Sequence, residues 1–222
     1  MVSADPQRHR PLTASNRTTA CADTLAAMAT ICVYCASSTR IDPSYVELAA
    51  AVGHEIGVRG HTLVSGGGRI SSMGALARAA RAAGARTIGV IPQHLLTVEL
   101  ADEDCDELVV TMTMRERKRE MDDRADAFLV LAGGIGTFEE LFEIWTARGL
   151  GWHDRPVVIL DPHGLYQPLR AQIQALVEQQ FMRREVADQV VWTTTIPEAF
   201  EALVRILPTP PADSEESLES DV

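Results

Sequence analysis

The chain reads as an α/β domain, a doubly wound parallel sheet of about seven strands flanked by helices. Three observations carry that reading. Short apolar runs alternate with longer stretches of helical periodicity from Thr30 to Ile206, and such alternation implies right-handed crossovers between parallel strands. Glycine and proline punctuate the joins. Two glycine clusters, Gly66-Gly67-Gly68 and Gly133-Gly134-Ile135-Gly136, each follow an apolar run and lead into a helical one.

Thr30–Ala36 is the first expected strand. Pro43 to Arg59 follows as a helix, with Asp42 as N-cap, Pro43 in the first turn and Gly60 as its end. His61–Ser65 is the second strand and Ser71–Ala83 the next helix, closed by Gly84. Arg86–Ile91 is the third strand, broken by Pro92, and Glu107–Val110 the fourth. Met114–Arg124 is helical, Ala127–Leu131 is the fifth strand and Thr137–Arg148 is helical. Val157–Leu160, a helix over Leu165–Gln180, Gln189–Trp192 and a helix over Ile196–Ile206 complete the series. Residues 1–28 are polar, lack clear periodicity and lack the apolar core of a signal peptide, so they are expected to be disordered. The same holds for 208–222, Pro-rich and then acidic, with five of the chain's negative charges. The domain between them spans 29–207.

Ligands of such sheets bind beyond the carboxyl ends of the strands, where both glycine clusters fall. The stretch Ala132-Gly133-Gly134-Ile135-Gly136-Thr137-Phe138-Glu139-Glu140 carries the sharper signal. Its glycines let the backbone approach a ligand, and the free N–H groups and positive helix end favour a phosphate. Thr137 adds a hydroxyl, and Glu139 and Glu140 are expected in the first helical turn beside it. The same segment also fits a tight turn with Glu favouring a helix N-terminus. Gly66–Gly68 fits a close-packing turn as well as a ligand site.

Composition removes several classes. The net charge of −11 argues against a general nucleic-acid binder. No apolar run is long enough to span a membrane. Cys21, Cys32, Cys35 and Cys105 are too few and scattered for a disulfide scaffold, which fits a reduced, cytoplasmic protein. Cys32 and Cys35 sit in one apolar run where positions three apart point to opposite faces, so core packing fits them better than a metal. The histidines show no metal-ligand spacing, and neither glycine cluster matches the dinucleotide or Walker patterns. No GxSxG occurs. Lys118, the single lysine, lies among arginines, a poor setting for a pyridoxal-phosphate Schiff base.

The charged run Arg115-Glu116-Arg117-Lys118-Arg119-Glu120 reads first as a solvated helix face. Spacing, however, puts Met114, Arg117 and Met121 on one stripe. An arginine on an otherwise apolar stripe suggests a cleft or a partner subunit. With Leu141, Phe142, Trp145 and Leu150 on the neighbouring helix, the stripe is expected to form a two-fold interface, giving at least a homodimer.

These residues resemble a known family. Gly133-Gly134-Ile135-Gly136-Thr137-Phe138-Glu139-Glu140 is similar to the PGGxGTxxE signature of the LONELY GUY family, with Arg115-Glu116-Arg117-Lys118 at that family's spacing before it. The resemblance runs from about Ile31 to about Val204 and includes Tyr34-Cys35-Ala36-Ser37-Ser38, Gly66-Gly67-Gly68, Met73-Gly74, Gly89-Val90-Ile91-Pro92 and Leu150-Gly151-Trp152-His153. It implies a Rossmann-like fold, subunit-interface sites and a cytokinin riboside 5′-monophosphate phosphoribohydrolase. That activity cleaves the N-glycosidic bond of N6-substituted AMP to free base and ribose 5-phosphate, without metal or cofactor. By position the implied catalytic pair is Arg117 and Glu140. The implied substrate contacts are Glu99, Met114, Lys118, Gly133, Gly134, Ile135, Gly136, Thr137, Glu139 and Thr146. Ala132 stands where the signature has proline. Arg69-Ile70-Ser71-Ser72-Met73-Gly74 replaces the usual Val-Gly-Leu-Met-Gly, and Ala147 and Gly149 stand where plant-like members often carry Trp and Gln. A non-catalytic nucleotide or cofactor carrier on the same fold is the competing reading.

Overall fold

A computed structural model describes residues 28–96 and 100–206. The expectations for 1–27, for 207–222 and for Glu99 lie outside the described residues. Seven strands form one parallel sheet in the order β4-β3-β2-β1-β5-β6-β7. The strands are β1 (Thr30–Tyr34), β2 (Thr62–Ser65), β3 (Thr87–Pro92), β4 (Glu107–Thr111), β5 (Ala127–Val130), β6 (Val157–Leu160) and β7 (Val190–Thr193). The helices are α1 (Pro43–Val58), α2 (Ser71–Ala82), α3 (Met114–Arg124), α4 (Ile135–Gly149), α5 (Gln167–Glu178), α6 (Arg184–Ala187) and α7 (Ile196–Ile206).

The period of two along each strand splits the core into two halves. On β1, Ile31 and Val33 join the layer with α1, α2 and α7, while Cys32 and Tyr34 join the layer with α3, α4 and α5. Cys32 and Cys35 thus fall on opposite sides, as their spacing predicts, and both are free thiols. Burial pushes the Cys32 thiol well up and the Cys35 thiol up to about 12, as inert core residues require.

Local chemistry sets the helix starts. Asp42 Oδ1 accepts from the Ser44 N–H at 2.9 Å, with Pro43 in the first turn of α1. Thr113 Oγ1 accepts from the Glu116 N–H at 3.1 Å, and Glu116 Oε2 accepts from the Met112 N–H at 2.8 Å. This near-reciprocal cap starts α3 at Met114, which fixes where Arg117 leaves the helix.

Several expectations need correction. Helix α4 starts at Ile135, two residues before Thr137, because extended Gly134 leads straight into it. Its first turn therefore carries no acidic residue, and Glu139 and Glu140 come one turn later. The short helix α6 and a 3-10 turn over Gln93–Leu95 carry too little periodicity to be read locally. Met121, Leu141 and Trp145 are core rather than interface residues, and the Trp145 indole donates to the Val186 carbonyl at 2.8 Å. Among the described residues no helix is long and apolar enough to cross a membrane.

The chain runs outward from β1 to β4 and then returns to the other flank of β1 as β5. The crevice beyond the carboxyl ends of β1 and β5 is therefore the switch point, where doubly wound sheets hold ligands.

Candidate active site

A cleft of about 500 Å³ opens at that switch point. Its floor is the loop after β1, Cys35 to Ser38, and the loop after β5, Ala132 to Gly134. The two loops are tied by the Ala36 N–H, which donates to the Ala132 carbonyl at 3.2 Å. Behind them the buried Tyr166 hydroxyl donates to the Leu131 carbonyl at 2.8 Å. These bonds hold the turn although Ala132 stands in place of proline.

The N-terminus of α4 opens onto the cleft through Gly134, Gly136 and Thr137, and no side chain caps it. Its first amides have no intrahelical acceptor, so this end suits an anion. Gly133 is required by contact. A Cβ there would lie 2.1 Å from Thr137 Oγ1. Thr137 itself is buried, and its hydroxyl donates inward to the Cys35 carbonyl at 3.4 Å. Its side chain thus braces the loop, and what it offers the cleft is backbone.

Arg117 and Glu140 meet on the same cleft. Arg117 is only 5% exposed and Glu140 9%. The Arg117 Nε donates to the Val90 carbonyl at 3.0 Å and its Nη2 to the Gly66 carbonyl at 3.1 Å. Nη1 lies 3.8 Å from Glu140 Oε1, an ion pair too long to be a hydrogen bond.

The expected contact residues divide. Met114, Gly133, Gly134, Gly136, Thr137 and Glu139 line the cleft with Arg117 and Glu140. Ile135 projects into solvent beside it. Lys118 and Thr146 line a second cavity, of about 530 Å³, on the other side of Glu140, which borders both. Lys118 bridges Glu139 and Glu143 across α3 and α4. Burial pulls its ammonium down, but these two carboxylates outweigh that and hold its pKa above the usual lysine range. Glu99 lies outside the described residues. Ile41, Tyr45, Leu95 and Leu165 supply an apolar wall that no motif flagged. The switch-point rule points to the loop after β1 but names no residues in α1 or beyond β6.

The model of a family described as "Possible lysine decarboxylase" matches residues 73–203. A cytokinin riboside 5′-monophosphate phosphoribohydrolase of Mycobacterium marinum is 48% identical over 173 residues, 78% of this chain and 92% of the relative. The one from Mycobacterium tuberculosis is 49% identical over the same shares. One from Arabidopsis thaliana is 35% identical over 80% of this chain and 84% of its own. Among solved structures, the molybdenum cofactor carrier protein of Chlamydomonas reinhardtii superposes with a TM-score of 0.61 at 20% identity, over 81% of this chain and 97% of its own. The molybdenum cofactor binding protein of Rippkaea orientalis gives 0.57 at 21%, over 78% and 94%. At such identities the likeness is one of fold. The chain belongs to the family of cytokinin riboside 5′-monophosphate phosphoribohydrolases.

Proposed function

We propose that this protein hydrolyses the N-glycosidic bond of N6-substituted adenosine 5′-monophosphates, releasing the free base and ribose 5-phosphate. The observation that carries the reading is the buried Arg117–Glu140 pair beside an uncapped helix N-terminus in one cleft. The amides at Gly134–Thr137 hold the 5′-phosphate. Cleavage passes through an oxocarbenium-like state, so charge has to be managed at the ribose and at the departing base. Glu140 steadies the developing positive charge and takes a proton from the attacking water. The water oxygen bonds to C1′, the C1′–N bond pair leaves with the base, and the base takes up a proton from solvent while Glu140 releases the one it took from water. Arg117 assists the departing base by hydrogen bonding and charge. The 3.8 Å gap between the two groups is wide enough that neither quenches the other with a hydrogen bond.

Decarboxylation through a lysine Schiff base fits poorly. It needs a neutral amine, whereas the only lysine is held charged by Glu139 and Glu143. Incubation of the purified protein with isopentenyladenosine monophosphate and with AMP, followed by chromatography of free base, tests the hydrolase. Binding without turnover of either would favour the carrier reading.

We also infer a homodimer in the cytoplasm. Phe142, Leu150 and Trp152 are exposed around the second cavity, with Trp152 78% exposed. Covering them with a second copy would dry the Glu140 side of the site. A specific interface here should bury upwards of about 1,000 Å² in total. Sedimentation as a fully active monomer at assay concentration would overturn this. The free thiols Cys32, Cys35 and Cys105 support a reducing compartment.

A further inference from the structure

We infer that the glycine turn after β2 is the seat of Arg117 rather than a second ligand cradle, and that Gly66 is a positioning residue acting through that arginine. The inference rests on the hydrolase reading above, in which Arg117 touches the departing base. Two of the turn's amides already face side chains of the protein: the Gly67 N–H faces Ser65 Oγ at 3.5 Å and the Gly68 N–H faces Met73 Sδ at 3.3 Å. An anion cradle would need those donors free. What the turn presents to α3 is a carbonyl instead. The Gly66 oxygen accepts from Arg117 Nη2, and Val90 of the neighbouring strand supplies the second acceptor, to Nε.

Two close approaches bring those carbonyls onto one guanidinium. Gly67, at φ 72, settles against β3, where a Cβ on Gly89 would lie 3.0 Å from the Gly67 Cα. At Gly66 itself a Cβ would lie 1.9 Å from Arg117 Nη2 and 3.0 Å from its Cζ. No other residue fits at 66 with the guanidinium in place. The long side chain is thereby fixed along its Nε edge before substrate arrives, leaving Nη1 on the Glu140 side. Donors fixed in advance need no reorganisation during the reaction, which is how such a group contributes to rate.

The test is a double-mutant cycle of Gly66→Ala, Arg117→Ala and the two combined. The readouts are ribose 5-phosphate release, urea unfolding and the arginine Nε–H resonances in a ¹⁵N–¹H spectrum. The native protein should show a slowly exchanging Nε–H resonance that Arg117→Ala removes and Gly66→Ala removes or shifts. Gly66→Ala should lower kcat about 100-fold, the scale of a misplacement near 1 Å. Its KM should stay within about threefold, as expected for an interaction made in the transition state. On the Arg117→Ala background the same substitution should change neither kcat nor the urea midpoint, since the clash has gone. Should Gly66→Ala fail to fold while the combined variant folds, the seat is supported. A Gly66→Ala protein with native turnover and an undisturbed resonance overturns it. So do equal losses of stability in both backgrounds, because the glycine would then serve the backbone alone. A native protein without turnover would sink the hydrolase reading, leaving the resonance and the stability cycle to judge the seat.

Discussion

Replacing Glu140 by glutamine separates what this carboxylate does for stability from what it does for chemistry. The substitution keeps the side-chain volume and removes one buried charge. With Oε1 3.8 Å from Arg117 Nη1, the attraction lost is roughly 4 kcal/mol at an effective dielectric of about 20. Against this stands the penalty of keeping a carboxylate nine-tenths buried, which is several kcal/mol and is relieved by the same change. Arg117 keeps its hydrogen bonds to the Gly66 and Val90 carbonyls along its Nε edge. Removing one partner of a buried pair leaves the other charge uncompensated, so Glu140→Gln should lower the unfolding free energy by about 3–5 kcal/mol at most, the relieved carboxylate and the two carbonyl bonds softening the loss. Turnover should nevertheless fall by about 100-fold or more, the scale of general acid–base help. That loss corresponds to at least about 2.7 kcal/mol of transition-state stabilisation. Urea unfolding and a coupled assay for ribose 5-phosphate measure the two quantities on one preparation. Retention of more than about a tenth of native turnover would refute the role given to Glu140. A loss of activity that merely tracks the unfolded fraction would do the same.

Gly133→Ala, which places a methyl 2.1 Å from Thr137 Oγ1, should disturb the phosphate-binding amides and raise KM for the nucleotide about tenfold, or about 1.4 kcal/mol; an unchanged KM in steady-state kinetics would count against phosphate binding there. Tyr166→Phe leaves the Leu131 carbonyl without its buried donor and should cost about 1–2 kcal/mol, read as a lower urea midpoint, whereas a native midpoint would mean that the bond contributes nothing to the loop. Stability should also fall on mild acidification. Burial, reinforced by Arg59 for His61 and by Arg155 for His153, holds both imidazoles below their usual pKa. The unfolded chain therefore takes up more protons than the folded one below about pH 6.5. The histidine contribution is full above that pH and is lost as pH falls toward the depressed folded values, and urea midpoints measured from pH 8 to 5 that stay level would contradict it.

The strand and helix series was readable because it rests on short-range patterns. Periods of two and of 3.6, the Asp42-Pro43 start of α1 and the apolar run of β5 are all local. The same holds for the opposite faces of Cys32 and Cys35, and for the placing of both glycine clusters on one edge. The failures were of two kinds. Helix α4 was started late because Gly-Ile-Gly reads as loop by propensity, and the tertiary setting overrode it. Trp145, Met121 and Leu141 read as interface residues in the sequence because periodicity tells which residues share a face, not what that face meets.

By itself, then, the sequence determined the order of elements, the parallel sheet, the glycine turn between β5 and α4 and the pair of residue types, arginine and glutamate, that the family motif marks. Only the tertiary structure decided how they meet. It set the Arg117 guanidinium on the carbonyls of Gly66 and Val90, turned the Thr137 hydroxyl inward to Cys35, and assigned Lys118 and Thr146 to a cavity apart from the glycine turn before α4. The reason is range. Hydrophobic period and capping act over a few neighbouring residues, whereas Gly66 and Arg117 are separated by 51 positions and Thr137 and Cys35 by 102. Those contacts follow from the packing of β2, β3, α3 and α4 against one another, which no local pattern encodes.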